Sequence, residues 1–150
     1  SGERTPLHNV NAKGAMFGFN LTHTRGDMYR ALIEGIAHGT RHVTDTFTQL
    51  GQAPTRLFAV GGGTKNALWL QVTSDITGFD QIVCEKTTGA SYGDAFLAAI
   101  AIGLVERDAI WTWNPAVKTV IAHPNAAYDK AHGLFHKLYE QTKDIAIELT

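Results

Sequence analysis

The run from Arg56 to Gln71 constrains this chain more than any other stretch. A short apolar strand, Leu57–Val60, enters Gly61-Gly62-Gly63, and the polar group Thr64-Lys65-Asn66 then opens a helix reaching Thr77. A second apolar stretch, Gln81–Glu85, follows. Strand, helix and strand in this order form a βαβ unit whose two strands run parallel, which places the chain in the α/β class. Glycine lets a backbone pass close to a ligand and visit positive φ, and the helix start beside it leaves N–H groups without intrahelical partners. The combination suits an anion or a nucleotide. A phosphate-cradling P-loop is excluded, because the Lys-Ser/Thr pair never arrives at the required spacing after Gly61. A dinucleotide fingerprint fits Gly61 and Gly63 but meets Asn66 where the third glycine belongs. With Glu85 at about the distance of a ribose-binding acid, that reading stays open as a rival.

The 150 residues, 44% of them apolar, suffice for one domain with a core. A formal charge of −1 and the lack of a Lys/Arg cluster argue against nucleic acid or a membrane surface as partner and favour a small ligand. Cys84 is the only cysteine, so no disulfide forms within the chain, and the apolar stretches are too short to span a membrane. A cytoplasmic location is expected. The opening Ser1-Gly2-Glu3-Arg4-Thr5-Pro6 reads as the middle of a loop, so the expectation is a piece of a longer protein.

Residues up to 23 read as a loop with a short strand at most. Thr24 with Asp27 predicts a capped helix from Arg25 to Leu50, on which Met28, Ala31, Leu32, Ile36, Val43, Phe47 and Leu50 form an apolar stripe. Gly35 and Gly39 on that stripe suggest a close backbone approach. A small-residue helix, Gly89 to Gly103, is expected to pack on the sheet, and 105–124 reads as irregular. A last helix from Asn125 places Tyr128, Ala131, Phe135, Leu138, Ile145 and Leu149 on one face. Two strands are too few for a free-standing parallel sheet, so the missing strands are expected from a preceding N-terminal part, and a self-associating homo-oligomer is expected.

Four segments then agree in order and spacing with one family: Gly2-Glu3-Arg4-Thr5-Pro6 with Ala12-Lys13-Gly14 and Phe17-Gly18; Arg30 to Ala37; Gly61 to Gly78; and Gly89-Ala90-Ser91-Tyr92-Gly93-Asp94-Ala95. Over residues 2 to 104 the chain resembles the C-terminal half of the FGGY carbohydrate kinases, xylulokinase-like members above all. The resemblance implies an actin-like, ribonuclease H-like ATPase lobe, here incomplete, with a βαβ unit and packed helices. It further implies ATP and magnesium in a cleft between two lobes and transfer of the γ-phosphoryl to a sugar hydroxyl, a ketopentose such as xylulose. Gly61, Gly62, Gly63 and Thr64 match the turn against the nucleotide, and Asn66 matches an adenine-contacting position. The catalytic aspartate and most sugar contacts fall to an N-terminal lobe that residues 1–150 do not include, so no catalytic residue is assigned here and the isolated piece is expected to be inactive. Two other readings stay open: a dinucleotide-binding oxidoreductase piece and a non-catalytic actin-like interaction module.

Other candidate residues favour plain roles. His38 and His42 lie at i, i+4 but lack a third ligand in sequence, so they read as packed or solvated and no metal is assigned. Cys84 reads as a buried inert thiol, Asp75 as a helix-end polar residue, Asp94 as a partner within the helix layer, and Trp111 and Trp113 as an aromatic plug. The Glu3-Arg4 pair is left between a surface ion pair and a fixed link.

Overall fold

The structure, a computed structural model, describes residues 2–149. After a looped segment, helix α1 (Arg25–Gln49) leads to strand β1 (Leu57–Ala59), a 3-10 turn (Gly62–Lys65) and helix α2 (Ala67–Thr77). Strand β2 (Gln81–Cys84), helix α3 (Ala90–Ala101), a 3-10 turn (Arg107–Ala109), the short helix α4 (Ile110–Trp113), strand β3 (Ala116–Val120) and helix α5 (Ala126–Glu148) follow.

The helices start and stop for local reasons. Thr24 and Asp27 form the capping box of α1, with the Asp27 amide donating to the Thr24 hydroxyl and the Thr24 amide to the Asp27 carboxylate. The Thr24 amide and then the Thr24 hydroxyl, both donating to the Asp27 carboxylate, lower that carboxyl from its ordinary value. Asn66 caps α2 by accepting from the Trp69 amide, and Gly78 ends that helix at φ 75°. Asn125 caps α5 by accepting from the Ala127 amide.

β1 and β2 pair in parallel, Leu57 opposite Gln81 and Ala59 opposite Val83, as a βαβ unit requires. The third strand comes from within the chain, not from a preceding part as expected. β3 lies antiparallel on the other edge of β2, in the stretch read as irregular, with a bulge between Val83 and Cys84. Its sequence is legible only as an edge strand, because Ala116 to Thr119 are exposed and Val120 alone is buried. Among the described residues, those before α1 supply one bridge, Glu3 opposite Asn9.

α2 covers one face of the sheet. Leu70 packs with Val83 and Val120, Ala59 joining them, while the buried Gln81 amide donates to the Leu70 carbonyl at 2.7 Å and the Ser74 hydroxyl at 2.9 Å. The opposite side of α2 meets α1, where Val72 and Ile76 pack against Ile33 and Ala37, with Tyr128 of α5 alongside. The stripe foreseen on α1 is not the buried one. Met28, Leu32, Ile36, Phe47 and Leu50 are exposed, and Ile33, Ala37, His38 and Thr44 turn inward instead. Gly35 and Gly39 face open space, so no backbone approaches them closely. On α3, Tyr92 and Phe96 lie against Trp113, the Tyr92 hydroxyl donating to the Trp113 carbonyl at 3.1 Å.

Candidate functional site

Because β1 and β2 are parallel neighbours, their C-terminal ends emerge side by side, and the loops that follow them must share one edge of the sheet. Such edges, where strands hand over to helices, are where open α/β sheets take ligands. The Gly61 amide donates to the Thr87 carbonyl at 2.6 Å, tying the turn after β1 to the loop after β2. Gly61 itself sits at φ 84°, ψ −171°, a conformation essentially reserved for glycine.

From Gly61 the backbone tightens into the 3-10 turn. The Thr64 hydroxyl donates to the Gly61 carbonyl at 2.7 Å, and the Asn66 amide to the Gly63 carbonyl at 3.0 Å. A Cβ added at Gly61 or Gly62 would meet nothing within 4 Å, and one at Gly63 would touch the Trp69 ring at an ordinary 3.5 Å. Bare backbone is therefore presented to the surface, with Gly62 and Lys65 exposed. Gly89, at φ 78°, starts α3 without a side-chain cap beside the same edge. The edge thus combines two glycine-opened turns and a helix start lacking a side-chain cap, an arrangement that offers N–H donors to an anion.

Asn66 is more engaged than its match to an adenine contact suggests. Its Oδ1 accepts from the Trp69 amide at 3.1 Å, and its Nδ2 donates to the Tyr29 hydroxyl of α1 at 2.7 Å. A second N–H and a second lone pair on the amide are left for a base. The turn, α1 and α2 are joined through this one side chain, and the sequence carried no signal for Tyr29.

The five candidate residues Gly61, Gly62, Gly63, Thr64 and Asn66 lie together in one turn. The other candidates lie apart from it. The Asp75 Oδ1 accepts from the Gln71 side chain and from the His123 amide at 2.9 Å, so it anchors the segment after β3. Asp94 is exposed on α3 rather than held within the helix layer. Cys84 is buried, as read. Trp113 packs with Tyr92 and Phe96, whereas Trp111 is exposed with the Arg56 guanidinium 5.8 Å from its ring. Glu3 bonds the Thr5 amide rather than Arg4. Glu85 pairs with Lys86 at 2.7 Å.

The family model for the C-terminal domain of the FGGY family of carbohydrate kinases matches residues 1–102. The chain belongs to this family. A xylulose kinase from Bacillus subtilis is 30% identical over 153 residues, covering 96% of this chain and 30% of that protein. The xylulose kinase structure from Rhodospirillum rubrum superimposes at a TM-score of 0.80 with 29% identity, covering 97% of this chain and 30% of its own. A gluconate kinase from Lactobacillus acidophilus is similar at a TM-score of 0.84 and 25% identity, covering 99% and 31%. The chain therefore spans under a third of the length of these FGGY relatives. Its fold is the α/β, actin-like, ribonuclease H-like type of FGGY lobes, with a small sheet and packed helices.

The glycine turn leaves bare backbone with open space beside Gly61 and Gly62. Magnesium is held by phosphates, water and one or two carboxylates, and no three acidic, imidazole or thiol groups converge on a metal position among the described residues. No helix among them is long and apolar enough to cross a membrane.

Proposed function

We propose that this chain is the nucleotide-side lobe of an ATP-dependent sugar kinase whose other lobe carries the sugar and the catalytic aspartate. The observation behind this reading is the tie between Gly61 and Thr87, which sets two glycine-opened turns on one edge of parallel strands. Bound ATP with its divalent cation supplies the phosphoryl group and neutralises its charge. In this chain, the backbone at Gly61, Gly62 and Gly63 lies against the adenosine and α-phosphate, Thr64 holds the turn in shape, and Asn66 offers its remaining donor and acceptor to the base. Phosphoryl transfer depends mainly on alignment and on charge stabilisation, so two lobes each holding one substrate act by closing. A ketopentose such as xylulose is the acceptor that the family resemblance favours, and the protein works in the cytoplasm as a homo-oligomer.

Gly62→Val tests the site. Its Cβ meets nothing within 4 Å, so the fold is expected to survive, and only a ligand lying on the turn would feel the larger side chain. In the intact protein, the ATP dissociation constant is expected to rise at least about tenfold, or about 1.4 kcal/mol, with sugar affinity unchanged. An unaltered ATP constant in the folded variant overturns the site. The isolated 150-residue chain is expected to bind nucleotide weakly and to release no ADP in response to sugar. Sugar-dependent turnover by it would place a catalytic base within these residues. Failure of the intact protein to bind any nucleotide would instead favour the interaction module.

A further inference from the structure

The second concentration of chemistry lies away from the glycine turn, between α1 and α5. His38 and His42 of α1 face His132 and His136 of α5. His38 and His132 stack with ring centres 5.3 Å apart and their Nδ1 atoms 3.3 Å apart, and His42 meets His136 edge-on at 4.3 Å. The Nε2 atom of His132 lies 3.0 Å from the His136 Nε2 and 3.2 Å from the Asp45 carboxylate. His38 and His132 are buried, at 5% and 7% exposure, and Phe135 lies against both rings.

A neutral imidazole has one N–H and one lone pair. The geometry is satisfied when His38 donates from Nδ1 to the Nδ1 of His132, leaving the His132 proton on Nε2 toward Asp45 and His136. With His38 in that tautomer, a further proton on His132 would set two donors against each other at 3.3 Å. The surroundings oppose added charge as well. Arg41 stands beside the cluster, its guanidinium 2.8 Å from Asp129 and 3.7 Å from Asp45. Burial, then the neighbouring His132, Arg41 and His136, push His38 down to about 4. Burial first and His136 second also lower His42 and His132. Asp45 pulls both the other way, as does Glu3 for His42, without reversing the direction.

We propose that this four-imidazole cluster forms an acid-sensitive clasp, which holds the middle of α5 on α1 while neutral and loosens that seam when His38, His42 and His132 take up protons. The first turn of α5 and its later part have other anchors, the Tyr128 hydroxyl accepting from Arg30 at 2.9 Å and Tyr139 from Asn9 at 2.9 Å, so the opening centres on 132–136. Histidines in the unfolded or opened chain titrate near their ordinary value of about 6.5, above the closed-state values. Between those values the opened form binds more protons, so the closed seam is fully stable above about 6.5 and loses stability as pH falls toward about 4. Each extra proton shifts the opening equilibrium by up to about tenfold per pH unit.

The test uses the intact protein with a chelator present, followed by hydrogen exchange corrected for intrinsic rates and by the imidazole NMR signals. From about pH 7.5 to about pH 5 the opening constant of the amides at 130–138 is expected to rise at least about tenfold relative to those of α2. His38 and His132 are expected to titrate below the ordinary histidine value of about 6.5. Equal protection losses in α5 and α2, or His38 and His132 midpoints at that ordinary value, overturn the proposal. His42→Gln/His136→Gln, at the half-buried rim, is expected to flatten the pH response while keeping the fold, and an unchanged slope in that folded variant also overturns it. Should the variant not fold, the wild-type midpoints and the exchange ratio decide.

Discussion

Helix α1 has an apolar face turned toward α2, where Ile33 and Ala37 meet Val72 and Ile76, and another turned away, where Met28, Leu32 and Ile36 remain 41–51% exposed. The sheet repeats the contrast. Its α2 side buries Gln81, Val83 and Val120, while Phe58 is 52% and Val117 62% exposed. In α/β proteins parallel strands are normally covered on both faces. The difference teaches that apolar periodicity marks a surface for burial without naming what buries it. The covered faces are closed by this chain, and the open ones suit the further lobe that the proposed kinase would bring.

The largest effect is expected on the covered side. Ile76→Ala, at 1% exposure, is expected to lower stability by about 2–5 kcal/mol in urea unfolding, and a loss below about 1 kcal/mol would show that the α1–α2 seam is loosely packed. Gly61→Ala comes next. Its φ of 84° is strained for alanine, so a loss of about 1–3 kcal/mol is expected, whereas Gly62→Ala, with open space and no positive φ, is expected to cost far less. Equal losses would mean that the turn is not held in the conformation described.

Asn66→Ala removes the α2 cap and the bond to Tyr29 together, for a loss of about 0.5–2 kcal/mol even without nucleotide. A selective loss of adenine over guanine nucleotide affinity in the same variant would add the base contact. Leu32→Ala, on the open side, is expected to change the stability of the 150-residue chain by no more than about 0.5 kcal/mol. Leu32→Glu with Phe58→Glu is expected to reduce its self-association in sedimentation. A chain that stays monomeric at every accessible concentration, or a Leu32→Ala loss matching that of Ile76→Ala, would break the distinction between the two faces.

Much of this was legible in the sequence because local rules govern it. The capping pair Thr24 and Asp27, the glycine stop at Gly78 and the strand–turn–helix run from Leu57 to Thr77 act within a few residues of one another, and their elements appear within a residue or two of the expected bounds. The glycine turn was legible for the same reason. Other features depend on contacts between distant residues. β3 exists because the exposed Ala116–Thr119 can borrow hydrogen bonds from β2, which no apolar pattern announces. The choice of Ile33 and Ala37 over Leu32 and Ile36 as the inward face of α1 was made by α2, since both sets recur at helical spacing. His38 and His42 were visible as a pair, but only the packing of α5 brought His132 and His136 to them across 94 residues of chain. Local sequence determined where the helices, the first two strands and the glycine turn form. Tertiary structure decided which faces meet, because burial is a property of pairs of surfaces and each sequence stripe specifies only one of them.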